Sequence, residues 1–213
     1  MQSRQIAFKS ISDTYGLLII IPFLFFLGCA TTSGTKIPGK YSNWNRFIDE
    51  LEIVNPFNIN NYSKVLILPI DSSTVPLPDK SDNTYEPLTK MIGHVDQTFR
   101  EGLTEGLKGS NIIALESSAS PTSKTGVLII QAKVFEMNPG SRALRYFIGF
   151  GAGKTVVGIQ GEVIDALSGQ VQLKFKHARA SSMGGFGGDY EKFLSDDTRD
   201  VGEDIGKMLT KMQ

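Results

Sequence analysis

Apolar and polar positions change period several times along this chain, and each change marks an element. Val65-Leu-Ile-Leu-Pro-Ile70 is a continuous apolar run, the pattern of a strand covered on both faces, and Pro69 places its end near Ile70. A Pro/Ser/Asp-rich loop comes next, to about Asn83. Leu88, Ile92, Val95, Phe99, Leu103 and Leu107 then recur at steps of three and four, which predicts a helix entered at Pro87 and stopped near Gly109. Gly102 and Gly106 weaken its second half by roughly 1 kcal/mol each relative to alanine, unless they permit close packing on a sheet.

Residues 111–115 predict a short strand and 116–125 a loop. Residues 127–137 predict a longer strand, closed by the turn signal Asn138-Pro-Gly-Ser141. Residues 155–165 and 171–179 flank Ala166-Leu-Ser-Gly169 as a hairpin. Its second arm puts Val171, Leu173, Phe175 and His177 on one face and Gln172, Lys174 and Lys176 on the other. A last helix opens at Asp196, Asp197 and Asp200, where acids favour the positive dipole end. Its stripe is Val201, Ile205, Met208, Leu209 and Met212. This order of elements predicts an α+β fold class: a mixed β-sheet with packed helices over residues 61–213.

The N-terminus obeys another logic. Arg4 and Lys9 precede the uncharged run Leu17–Leu27, which ends in Gly28-Cys29-Ala30. A positive start, a short apolar core and small residues at the cut describe a secretory signal. The run is too short to span a bilayer, which takes roughly 20 residues. The pattern resembles a bacterial lipoprotein signal over residues 1–28, in which Cys29 becomes the acylated first residue. Two or more acyl chains make such an anchor durable. Ala30 after the cysteine favours the outer membrane, with the domain facing the periplasm. Residues 29–60 read as the lipidated cysteine and its tether.

Charge then narrows the partners. Lysine plus arginine and aspartate plus glutamate balance at 22 each, and removing residues 1–28 leaves the remainder near neutral. No basic field is present to hold nucleic acid. One cysteine excludes an intrachain disulfide, and His94 and His177 are too few for a multi-histidine metal site. Neither metal nor cofactor is expected. His177 reads as a satisfied, partly buried side chain, His94 as solvent-facing and Asp165 as a turn cap.

Gly149-Phe-Gly-Ala-Gly-Lys-Thr155 imitates a phosphate-binding loop. That motif needs its first glycine at position 148, which is Ile148, and a helix after it. The residues after Thr155 are β-branched and strand-like, so no helix N-terminus converges on a phosphate. No nucleophile–base pairing or paired-carboxylate arrangement stands out, and the expectation is a non-enzymatic protein. The candidate partner-contact residues are Arg142, Arg145, Gly149, Gly151, Gly153 and Lys154, a basic, aromatic and glycine-rich stretch. A second glycine cluster, Ser182-Met-Gly-Gly-Phe-Gly-Gly-Asp189, reads as a connector.

The run from Pro139 to Thr155, Asp165-Ala-Leu-Ser-Gly169 and Lys64-Val-Leu-Ile-Leu-Pro-Ile70 together resemble the DUF4410 family over about residues 62–211. Many members are predicted lipoproteins, and the element order is loosely similar to the N-terminal domain of TolB and to CsgG-type lipoproteins. The resemblance implies an α+β fold and a cell-envelope location, and brings no catalytic residues. The function expected is a periplasmic binding or assembly module, its partner the membrane through Cys29 and an envelope protein or a second copy. The alternative is a solute- or lipid-binding auxiliary protein of a transporter, with an apolar pocket between the first helix and the sheet.

Overall fold

A computed structural model describes residues 36–116, 118–119, 123–140, 154–182 and 189–213. The chain divides into a unit over Met1–Ala30 and a compact unit over Thr31–Gln213. All the described residues belong to the second unit.

Seven strands form one sheet: β1 (Gly39–Trp44), β2 (Ile48–Ile53), β3 (Lys64–Ile67), β4 (Ile113–Leu115), β5 (Val127–Asn138), β6 (Lys154–Asp165) and β7 (Val171–Ser182). Their spatial order is β1-β2-β7-β6-β5-β3-β4. β3 runs parallel to both β4 and β5, and the remaining pairs are antiparallel. Two helices, α1 (Tyr85–Gly106) and α2 (Tyr190–Thr210), cover one face. The mixed α+β sheet expected from the pattern is present.

The core lies between the helices and that face. Leu88, Val95, Phe99 and Leu103 of α1 and Val201, Ile205, Met208 and Leu209 of α2 meet Val65, Ile67, Leu128, Ile130, Val157, Ile159 and Leu173. β3 is apolar on both sides because both sides are covered. Val65 and Ile67 enter the main core, while Leu66 joins Val127, Ala166, Leu115 and Ile129 in a small cluster on the opposite face. Pro69 has no N–H and breaks the ladder after Ile67; Asp71 resumes pairing beside Lys133.

Three expectations change. Residues 29–60 are not tether throughout, because 39–53 form the β1–β2 hairpin. Trp44, Ile48, Leu51 and Ile53 supply its buried positions, and Asn43, Asn45 and Arg46 turn the chain with positive φ. The last helix starts at Tyr190 rather than Asp196, with the Asp189 carboxylate accepting from the Lys192 N–H as its cap. Gly102 and Gly106 pack against α2, not the sheet. A Cβ at Gly102 would lie 1.9 Å from the Arg199 carbonyl oxygen, and one at Gly106 2.0 Å from that of Glu203. Gly202 and Gly206 answer from α2, so two parallel helices touch backbone to backbone.

The sheet has two distinct ends. Lys36 donates to the carbonyl of the C-terminal Gln213, so the chain joins the domain beside the helix C-termini and the β6–β7 turn. The end of β5, the start of β6, the end of β7 and both helix N-termini lie at the other end. Twelve-residue strands set these ends about 40 Å apart.

Candidate functional site

β7 changes character halfway along the face it turns to α2. Leu173 and Phe175 are apolar, and His177, Arg179 and Ser181 continue the same face as polar side chains. Asp197 and Asp204 stand two turns apart on α2 and meet them. The buried His177 ring places Nδ1 3.0 Å from Asp49 Oδ2 and Nε2 2.9 Å from Asp204 Oδ2. Arg179 Nε donates to the same Asp204 oxygen at 2.6 Å, and the Ala178 N–H donates to Asp49 at 2.9 Å. Toward the end of the seam, Thr155 and Ser181 hydroxyls donate to the two oxygens of Asp197 at 2.7 and 2.6 Å. The seam thus ties β2, β6, β7 and α2 together through groups whose capacity is spent inward.

Its acids respond differently to this enclosure. Burial pushes Asp197 above the ordinary carboxylate range, against two hydroxyl hydrogen bonds that pull it down. Burial opposes the charge on Asp204 too, but His177 and Arg179 hold its carboxyl below that range. Asp200, between them on α2, is exposed at the rim and raised by desolvation and by its acidic neighbours, with Arg179 opposing.

The face without helices carries a concave groove of about 760 Å³. Cross-strand register builds its floor as rows. Lys40, Glu52, Lys174 and Glu162 form one row across β1, β2, β7 and β6, and Glu50, Lys176, Gln160 and Lys133 form another. Charges alternate within the first row, with Lys174 bonded to Glu162 at 2.8 Å; in the second, Lys176 bonds Glu50 at 3.2 Å. Such exposed pairs contribute little to stability, about 0–1 kcal/mol each, and with Asp71 in the same groove the lining is charge-balanced. Beyond the rows, Phe135 at a β5 bulge lies over Gly158, where a Cβ would come 2.4 Å from the ring, with Lys176 Nζ 5.1 Å from its centroid. Glu136 beside it is half-buried and raised by desolvation, with one oxygen unpartnered among the described residues.

Of the sequence-derived candidates, Arg142, Arg145, Gly149, Gly151, Gly153 and Cys29 lie outside the described residues. Lys154 is exposed and opens β6 opposite Ser182, and Thr155 is buried on Asp197. The Gly-Lys-Thr sequence therefore runs into a strand, as its β-branched continuation indicates. His94 is exposed, and Asp165 caps the β6–β7 turn by accepting from the Ser168 N–H at 2.6 Å. The Tyr62 hydroxyl also donates to Asp165, and burial with that contact pushes the phenol up to about 12. A cleft opens beside α1 at the β3–β4 margin of the sheet, and its lining is mainly polar. It measures about 370 Å³ and is lined by Asp96, Gln97, Arg100 and Glu116 with Ile67. Among the described residues, no three His, Cys, Asp or Glu side chains are grouped to share a metal ion. Nor is any helix among them long and apolar enough to cross a membrane.

Sequence reasoning missed the seam itself. Its signal was available: His177, Arg179 and Ser181 at strand spacing, and Asp197 and Asp204 at helical spacing.

Fold and seam define an α+β domain in which two parallel helices back one face of an open mixed sheet. The chain belongs to the DUF4410 family, a domain of unknown function, whose family model matches residues 58–185. That span runs from just before β3 to just past β7; the β1–β2 hairpin and α2 lie outside it. No curated protein matches the chain. Among solved structures it is similar to a variant PelC dodecamer from Paraburkholderia phytofirmans, at 13% identity over 73% of this chain and 96% of that one, with a TM-score of 0.41. Protein XCC0632 from Xanthomonas campestris, of the DUF330 family, is 12% identical over 74% and 90%, with a TM-score of 0.38. The hypothetical protein CT253 from Chlamydia trachomatis is 15% identical over 68% and 88%, with a TM-score of 0.34. These likenesses are distant, and no role is carried over from them.

Proposed function

We propose that this chain is a lipid-tethered, non-enzymatic binding module of the bacterial cell envelope, acylated at Cys29 and facing the periplasm from the outer membrane. The observation that carries the reading is the division of the domain into two ends. The chain joins it at Lys36, beside the C-terminus, while the segment bearing Arg142, Arg145 and Gly149–Gly153 leaves and re-enters the sheet at Asn138 and Lys154, about 40 Å away. A tether at one end and a contact region at the other suit a module that presents itself to a partner beyond the membrane surface. The inward bonding of His177, Asp197 and Asp204 supports a structural rather than a chemical use of the buried polar groups.

The test is metabolic labelling of cells with a clickable fatty acid, comparing wild type with Cys29→Ala, and then membrane fractionation. Label that depends on Cys29, with protein in the outer membrane, is the expected result. Unlabelled, soluble wild-type protein would refute the anchor. Replacing Arg142 and Arg145 with alanine is expected to abolish crosslinking to the partner without lowering the melting temperature; unchanged crosslinking removes those residues from the contact.

A further inference from the structure

We propose that the outer edge of β7 over residues 178–182 is a strand-addition site, which takes an extended segment of a partner protein carrying bulky apolar and basic side chains in alternation. The proposal rests on the binding-module reading but not on the lipid anchor.

The edge exists because β2 is shorter than β7. Its ladder pairs Glu50–Ile53 with Lys176–Leu173 and goes no further along β7. On its other side, β7 stays paired with β6 as far as Ser182 opposite Lys154, while beyond Ala178, whose N–H is taken by the Asp49 carboxylate, no strand pairs with its outer edge among the described residues. Residues that turn their backbone groups outward alternate along an antiparallel strand. The Ala178 N–H turns outward, since it donates to Asp49, and the alternation turns the N–H and C=O of Ala180 outward as well. Ala180 is exposed. Natural edges are protected by brevity, proline, lysine or a bulge. β4, at one margin of the sheet, has three residues, and β1 at the other carries Lys40 and the left-handed Asn43. The stretch of β7 past Ala178, unpaired on its outer side among the described residues, turns Ala180 outward instead.

The side chains around the edge specify the guest. Ala178 and Ala180 lie on the open face, beside Gly158 and Val156 of β6 and near Phe135. These small residues leave a shallow apolar shelf for a large side chain from an added strand. On the other face the guest looks toward α2. Asp200 is exposed there and has no ion pair among the described residues, and the Asp49 side chain is 59% exposed. Arg179, the nearby cation, is bonded to Asp204. A lysine or arginine at guest positions opposite Arg179 and Ser181 would meet carboxylates. Main-chain bonds would supply affinity and the alternation would supply specificity, as in other strand-addition complexes.

The probe is the acetylated, amidated heptapeptide Lys-Val-Lys-Val-Lys-Val-Lys, added to the chain from Ala30 to Gln213, which contains the compact unit. Amide resonances of residues 178–182 are expected to shift in a two-dimensional NMR titration. A twin peptide N-methylated along one edge should bind more than tenfold more weakly, because two backbone hydrogen bonds are lost. Asp200→Lys, an exposed substitution, should weaken binding about tenfold while leaving the melting temperature unchanged. Shifts confined to the Lys174–Glu162 and Glu50–Lys176 rows, no binding, or equal binding of the N-methylated twin would each overturn the proposal. None of these results depends on acylation, so failure here and failure of the fatty-acid label are separate findings.

Discussion

Replacing Gly102 and Gly93 by alanine should have opposite effects, although both glycines sit inside α1. The propensity gain is common to both, about 1 kcal/mol. Nothing lies within 4 Å of a Cβ at Gly93, so Gly93→Ala should be stabilising by about that amount. At Gly102 the added carbon would lie 1.9 Å from the Arg199 carbonyl oxygen, a fixed backbone atom. Relief needs the helices to separate by about 1 Å or more, and a gap of that size forfeits a quarter to a half of each contact along the seam. Overpacking of this kind costs about 3 kcal/mol, at the upper end of its range because neither partner can rotate away. After the propensity gain, Gly102→Ala should lose about 2 kcal/mol, or roughly 4–8 °C in melting temperature for a domain of this size. Gly93→Ala should rise by about 2–4 °C. Urea and thermal unfolding of the chain from Ala30 onward measure both. A melting temperature for Gly102→Ala at or above wild type would refute the backbone-to-backbone contact.

The buried acids of α2 should also behave oppositely. Asp197 has a raised folded pKa, so its contribution is fully present below the ordinary carboxylate value of about 3.9 and is lost as pH rises through the folded value. Asp197→Asn should therefore match or exceed wild-type stability at pH 7 in urea midpoints, with less decline between pH 4 and 7. Asp204 has a lowered folded pKa, so its contribution is present above about 3.9 and is lost as pH falls through the folded value. Asp204→Asn should cost about 2–3 kcal/mol at pH 7, because His177 and Arg179 lose their charged partner, and the difference should shrink in acid. Tyr62→Phe should cost about 1 kcal/mol by removing the bond to Asp165, and spectrophotometric titration of wild type should show one tyrosine ionising near 12.

Strands and helices with an unbroken period were legible in the residues. The stripes of α1 and of the second half of α2 are the core stripes, and the alternation of Leu173, Phe175 and His177 against Lys174 and Lys176 separates the two faces of β7. The β1–β2 hairpin was not legible, because its apolar positions are few and Asn43-Trp-Asn-Arg46 reads as linker until the positive φ values are seen. The first six residues of α2 were hidden by the glycine cluster before them, although Asp189 is a favoured N-cap residue and Glu191 an acid in the first turn. The spacing of Gly102 and Gly106 was visible, and so was that of Gly202 and Gly206. What a sequence withholds is which two elements will lie side by side, and here that decides the meaning of all four glycines. The seam escaped for the same reason: Asp197 looked like a helix-start acid, and Asp204 had no partner to mark it, until β7 was placed against them.

α2 follows all seven strands in the chain and covers part of the sheet's helical face, through Leu194, Val201, Ile205, Met208 and Leu209. Its groove on α1 lies about a hundred positions earlier in the chain, and the Met212 carbonyl, just past α2, accepts from the Ile59 N–H. Contacts between such remote positions have to wait until α2 is present. A chain that lacks α2 has an uncovered stretch of sheet face and an unfilled glycine groove on α1. For the exported module proposed above, α2 is then the element whose arrival closes the domain.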